Sequence, residues 1–160
     1  MTLNPTRRRL LLAGATALLP QGAQSAPTLR VFERDSLKQI DTGPRPYVLT
    51  LWGLNCAACV QVLHELARWQ DKLRIITVAL DSMNERAELL NVLAQARLTS
   101  EAWVFGNAAP EALRYAIDPT WAGEKPRSYL VARDGSRRAV SGLLRPTDFH
   151  ALDTSNTARR

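Results

Sequence analysis

The 160-residue chain is long enough for one sizeable core, and its 46% apolar and 22% charged residues are ordinary for a soluble globular protein. Its formal charge of +6 overstates its basicity: Arg7, Arg8 and Arg9 lie in an acid-free first 25 residues, which leaves the rest at +3, with Arg159 and Arg160 in a polar tail. No basic stripe interleaved with aromatics is present, which argues against nucleic acid as a partner.

Residues 1–25 read as an export signal rather than as part of the fold. Arg7 to Arg9 supply a positive start, and Leu10 to Leu19 an apolar core about half as long as the roughly 20 residues that span a bilayer. Ala23-Gln24-Ser25 is a small-x-small cleavage signal, with cutting after Ser25 or Ala26. Thr6-Arg7-Arg8-Arg9-Leu10-Leu11 resembles a twin-arginine signal, and an arginine-rich general secretory leader fits as well. Either route implies a periplasmic protein, its leader cleaved or kept as an anchor. One domain is expected over residues 26–153, followed by a disordered tail over 154–160.

Leu29 to Glu33 alternates apolar and polar residues and reads as a short edge strand. Ser36 is positioned to cap a helical turn through Ile40, and Asp41 to Pro46 form a turn-rich linker. Tyr47 to Trp52 is a continuous apolar strand leading into Cys56 and Cys59, the two cysteines of the protein. From there a helix runs to about Gln70, with Val60, Leu63 and Leu66 or Ala67 at helical spacing. Leu73 to Leu80 is a second buried strand, so strand, helix and strand form a parallel βαβ unit. A helix over Asn84 to Leu98, a strand over Ala102 to Phe105 and a helix opened by Pro110 follow. Asp118 to Pro126 is irregular. Arg127 to Ala132 and Arg137 to Ser141 form a hairpin about Asp134-Gly135, and Thr147 opens a last short helix. The order predicts an α/β fold with a mixed central sheet flanked by helices.

The chemistry lies where the first buried strand becomes a helix. A cysteine at a helix N-terminus meets unpaired N–H groups and the positive end of the helix dipole, which favour thiolate over thiol. Cys59, three residues on, lies one turn along the same face, close enough to close and reopen a disulfide. A purely structural bridge is the plain alternative, but so short a loop removes little entropy from the unfolded chain.

Two motifs, Leu51-Trp52-Gly53-Leu54-Asn55-Cys56-Ala57-Ala58-Cys59 and Glu124-Lys125-Pro126 leading to Asp134-Gly135, resemble the thioredoxin superfamily, and within it the periplasmic TlpA-like branch. The resemblance covers roughly residues 29–153. It implies a thioredoxin-like fold and a thiol–disulfide oxidoreductase, with Cys56 exposed and attacking and Cys59 more buried and resolving. It also implies a cis Pro126 lying against the disulfide. No cofactor is implied, since the dithiol carries the electrons. The implied partners are thiols or disulfides of client proteins and a membrane electron donor, with the protein itself a monomer. By analogy the activity is reductive, in cytochrome c maturation or copper-centre assembly.

Trp52, Asn55, Trp121, Glu124 and Lys125 are the further candidates for substrate binding or tuning. Trp52 is expected beside the active loop, and Trp121 as an exposed contact surface. Many thioredoxins carry a buried carboxylate six residues before the first cysteine; here that position is Thr50, which leaves Glu124 as the nearest acid of the motif. If the segment is extended, Lys125 and Arg127 share one side and Glu124 takes the other, with Lys125 facing the site. The loop Gly53 to Val60 also resembles the Gly-Met-Thr-Cys-x-x-Cys loop of heavy-metal-associated domains, which implies a Cu(I) chaperone holding the ion between Cys56 and Cys59 on a βαββαβ fold.

Overall fold

Every residue from Tyr47 to Trp52 is buried, as a strand covered on both faces must be. The computed structural model describes residues 27–153, so the expected leader and tail lie outside the described residues. The strands are β1 (Leu29–Phe32), β2 (Tyr47–Trp52), β3 (Arg74–Ala79), β4 (Glu101–Phe105), β5 (Arg127–Val131) and β6 (Arg137–Ser141). The helices are α1 (Ser36–Asp41), α2 (Ala57–Ala67), α3 (Arg86–Gln95), α4 (Pro110–Ile117) and α5 (Pro146–Asp153). One six-stranded sheet has the order β1-β4-β3-β2-β5-β6. β1, β4, β3 and β2 run parallel, whereas β5 and β6 are antiparallel to their neighbours. The expected mixed sheet and parallel βαβ unit are therefore present, with β1 and β6 as its edges.

Successive strand residues point to opposite faces. Val48, Ile75, Ala102 and Leu130 pack with α2, α3 and α5, while Leu49, Ile76, Trp103 and Tyr129 pack with α1 and α4. The result is a three-layer α/β/α sandwich with a core on each side of the sheet.

Several local expectations shift. On α2 the buried stripe is Cys59, Val62, Leu63 and Leu66, a complete i, i+3, i+4, i+7 set, and Val60 is turned outward. The helix ends at Ala67 and not near Gln70, because Trp69 leaves it to stack on Phe149, ring centroids 4.6 Å apart. The segment after β3 opens with a 3-10 turn (Met83–Glu85) capped by Ser82, and α3 then covers Arg86–Gln95. Ser36 lies inside α1; its hydroxyl accepts from the Glu33 N–H at 2.9 Å, so it closes the preceding turn and does not cap the helix. The last helix starts at Pro146, with Asp148 accepting from the Arg145 N–H at 2.8 Å, which leaves Thr147 no opening role.

Candidate functional site

β2 delivers the chain to the rim of the sheet at Trp52, and Gly53 to Asn55 turn it into α2. Cys56 is the residue that precedes the first helical one. Its backbone is extended (φ −149°, ψ 94°), and its Sγ accepts from the Cys59 N–H at 3.2 Å. The sulfur thus fills the capping position of an eleven-residue helix, where the unsatisfied N–H groups and the positive end of the dipole converge. Cys56 and Cys59 are joined by a disulfide, Cα atoms 5.2 Å apart. Cys56 is partly exposed and Cys59 is fully buried.

The second motif reaches the same loop through sheet register. Arg127 of β5 pairs with Leu51 of β2 in the antiparallel sense, so continuing both strands sets Pro126 beside Trp52 and Lys125 beside Gly53. The Lys125–Pro126 peptide bond is cis, and Pro126 is buried. The Lys125 ammonium lies in the space that a Cβ on Gly53 would occupy, and the Asp81 carboxylate comes within 3.1 Å of that same point. Gly53 is therefore the residue that lets the lysine lie across the active loop. A larger depression, about 650 Å³, sits by His64, Arg68 and Arg97 at the far end of α2, away from the cysteines.

The remaining candidates separate. Trp52 is buried beneath the loop, and its indole N–H meets no partner among the described residues. Asn55 is exposed. Trp121 is not a contact surface: it is only 6% exposed, packs in the core beside α4, and donates its indole N–H to the Glu124 carbonyl at 2.9 Å. An indole with its one polar atom satisfied gains far more from burial than from exposure. Glu124 and Arg127 do not point to opposite sides. The Glu124 carboxylate accepts from Ser141 Oγ at 2.7 Å and from Arg127 at 3.1 Å, since residues 124 and 125 precede β5 and strand alternation does not extend to them. Those bonds, the Ser141 hydroxyl first, hold Glu124 below its ordinary pKa.

The carboxylate that does meet the active loop is Asp81, which the sequence reading did not single out. Its Oδ2 accepts from the Leu54 N–H at 3.1 Å, and Leu54 O in turn accepts from the Cys56 N–H at 3.0 Å. Its signal was available: it stands just past the carboxyl end of the strand parallel to β2, where functional residues of open α/β sheets gather. In the sequence Thr50 marks the place of a missing acid, and its surroundings are not legible there. Thr50 and Ser128, both fully buried, share a 2.8 Å hydrogen bond across β2 and β5 on the α2 side of the sheet. Thr77, register partner of Thr50 on β3, continues the row with a buried hydroxyl that has no partner among the described residues.

The architecture has known counterparts. The chain has the thioredoxin fold. A thio-disulfide isomerase from Thermus thermophilus matches it with a TM-score of 0.54 at 16% identity, over 69% of this chain and 78% of that one. A secreted Mycobacterium tuberculosis disulfide oxidoreductase, described as homologous to DsbE of E. coli, matches at 0.50 and 15% identity over 68% and 79%. The M. tuberculosis DsbF protein matches at 0.50 and 19% identity over 71% and 81%. No family model matches the sequence, and no curated protein matches it. This thioredoxin fold is not the βαββαβ fold that the heavy-metal resemblance carried with it. Among the described residues no group of three or more His, Cys, Asp or Glu is placed to hold a metal ion, and no helix is long and apolar enough to cross a membrane.

Proposed function

We propose that the protein is an exported thiol–disulfide oxidoreductase of the TlpA-like kind, with Cys56 as nucleophile and Cys59 as resolving thiol. One observation carries the reading: Cys56, a partly exposed residue, caps α2 with its sulfur and receives a helix N–H, while Cys59 is buried behind it. In the reduced protein that geometry favours the Cys56 thiolate and gives it the only open approach. The thiolate attacks one sulfur of a client disulfide, forming a Cys56–client mixed disulfide and releasing the other client sulfur as a thiolate. The Cys59 thiolate then attacks Cys56 Sγ, frees the second client thiolate and leaves the Cys56–Cys59 disulfide. Two electrons pass from the protein to the client. An external dithiol donor restores the reduced pair, and the same steps in reverse would oxidise a client.

The fold and the neighbours named above, two of them described as disulfide oxidoreductase or isomerase proteins, support this reading. So does the Lys125–Pro126 segment beside Gly53, which the resemblance assigns to client contact. Client proteins with reactive thiols or disulfides are the proposed partners. Export to the periplasm rests on the arginine-led, apolar first 25 residues, and reduction of clients from a membrane donor rests on the TlpA-like resemblance.

Trapping tests the division of labour. Cys59→Ala should accumulate mixed disulfides with a scrambled protein substrate, and Cys56→Ala should form none. Equal trapping by both variants would refute the assignment. A reduction potential measured in glutathione buffers, beside Cu(I) affinity on the same sample, separates an exchange catalyst from a copper carrier.

A further inference from the structure

Beyond Asp81 the surface opens into a groove of about 420 Å³ at the carboxyl ends of β1, β3 and β4. Val31, Leu80, Met83 and Phe105 give it apolar walls, and Asp81 and Asn107 belong to its polar edge. Val31 is 45% exposed, one of the few large apolar side chains on the described surface that are so open. Among the described residues no lysine or arginine lines the groove. Its charge away from the active loop is negative: the Glu33 carboxylate lies over Gly106 and accepts from the Asn107 N–H at 3.2 Å, whereas Asp81 shares the space over Gly53 with the Lys125 ammonium.

The groove adjoins the candidate redox site through Asp81, which lines the one and binds the active loop of the other. Leu80 N–H donates to Trp52 O at 2.9 Å, and Asp81 holds Leu54, which holds Cys56. An extended segment advances about 3.3 Å per residue, so a client chain bonded at Cys56 reaches the groove within a few residues of its cysteine. This lies on the β3 side of the active loop, opposite the Pro126 side, so the two do not compete for the same part of a client.

We propose that this groove is a client-recognition subsite, and that it takes an apolar side chain accompanied by a lysine or arginine close to the reacting cysteine of an extended client segment. The inference rests on the oxidoreductase reading and adds a substrate class to it. The apolar walls remove one side chain from water, and Glu33 attracts the neighbouring cation while repelling an acid.

The test uses the exported chain without its leader and mixed-disulfide peptides whose cysteine is flanked by Leu-Arg, Leu-Glu or Ser-Arg. Each rate is divided by that of the same protein variant with uncharged 2-hydroxyethyl disulfide. The Leu-Arg peptide should react about tenfold faster than Ser-Arg, from the lost apolar burial. It should exceed Leu-Glu by about three- to fivefold at low salt, with the gap closing at high salt. Glu33→Lys should invert or erase the charge preference, and Val31→Asp should erase the preference for leucine. Normalised rates equal within twofold across the peptides, or preferences untouched by both substitutions, overturn the subsite while leaving the oxidoreductase intact. Absence of exchange with 2-hydroxyethyl disulfide itself removes the oxidoreductase reading, and the subsite with it.

Discussion

The two faces of the sheet solve the problem of buried polarity in different ways. On the face under α2, behind the cysteines, the buried polar atoms at the centre are the neutral hydroxyls of Ser128, Thr50 and Thr77, in one row across three strands. The buried carboxylate of that layer, Asp148, sits at its rim with Arg138 at 3.1 Å. On the face under α1 and α4, charge comes inward. Asp118 accepts from Tyr129 at 3.0 Å and Arg127 at 3.2 Å, Arg137 stacks on the Tyr129 ring at 4.1 Å, and Tyr47 donates to Asp41. The thiol chemistry is thus set against a neutral backing, and the ionic network is kept on the other side of a sheet one strand thick. A charge in a layer of low dielectric would shift a nearby thiol strongly, whereas across the sheet its influence falls.

The sharpest way to break that contrast is to put a carboxylate into the neutral face. Thr50→Asp should cost about 3–5 kcal/mol at pH 8, because the charge has no cation to meet. Burial raises the pKa of such a group, so its charge penalty is absent below the ordinary carboxylate pKa, grows as pH rises from there towards the folded value, and is complete above it. Denaturant unfolding at pH 5 and pH 8 reads the difference, and an equal cost at both would mean that the face is not neutral.

Within the hydroxyl row, the two threonines should respond in opposite directions. Thr50→Val strands the buried Ser128 hydroxyl and should lower stability by about 1–3 kcal/mol. Thr77→Val removes a hydroxyl that has no partner among the described residues and should be neutral or stabilising by up to about 1 kcal/mol. Like losses for both would show that Thr77 is as well satisfied as Thr50.

The ionic face should instead reveal itself in acid. Hydrogen bonds from Thr120 first, then from Tyr129 and Arg127, hold the Asp118 pKa down from 3.8 to about 2. A depressed folded pKa contributes stability that is complete above the ordinary value and disappears as pH falls through the folded one. Asp118→Asn should therefore cost about 1–2 kcal/mol at pH 7, with the gap to wild type narrowing between about pH 4 and about pH 2. A gap independent of pH would leave Asp118 a purely geometric role.

The smallest effect concerns Lys125, the cation laid across the active loop. Lys125→Glu should slow alkylation of reduced Cys56 at neutral pH by about two- to threefold at low salt and less at high salt, since exposed charges are readily screened. Unchanged rates would leave the end of α2 as the activator, with the lysine serving client contact.

What the sequence determined by itself was whatever local periodicity and chain order encode. Tyr47–Trp52 and residues 75–80 are largely apolar runs joined by a helix-period segment, and such a pattern reads as a buried parallel βαβ unit, with Cys56 at the junction. The Asp134-Gly135 turn likewise placed the β5–β6 hairpin. Side-chain destinations set by long-range packing were not legible. Nothing local shows that Trp121 turns into the core, that Glu124 is taken by Ser141 seventeen residues on, or that Asp81 crosses to the Leu54 N–H twenty-seven residues back. Thr50 alone reads as a lost acid; only the register of β2 against β5 makes it half of a hydrogen-bonded pair with Ser128. Periodicity tells a residue which face to take, and the strand order decides what it meets there.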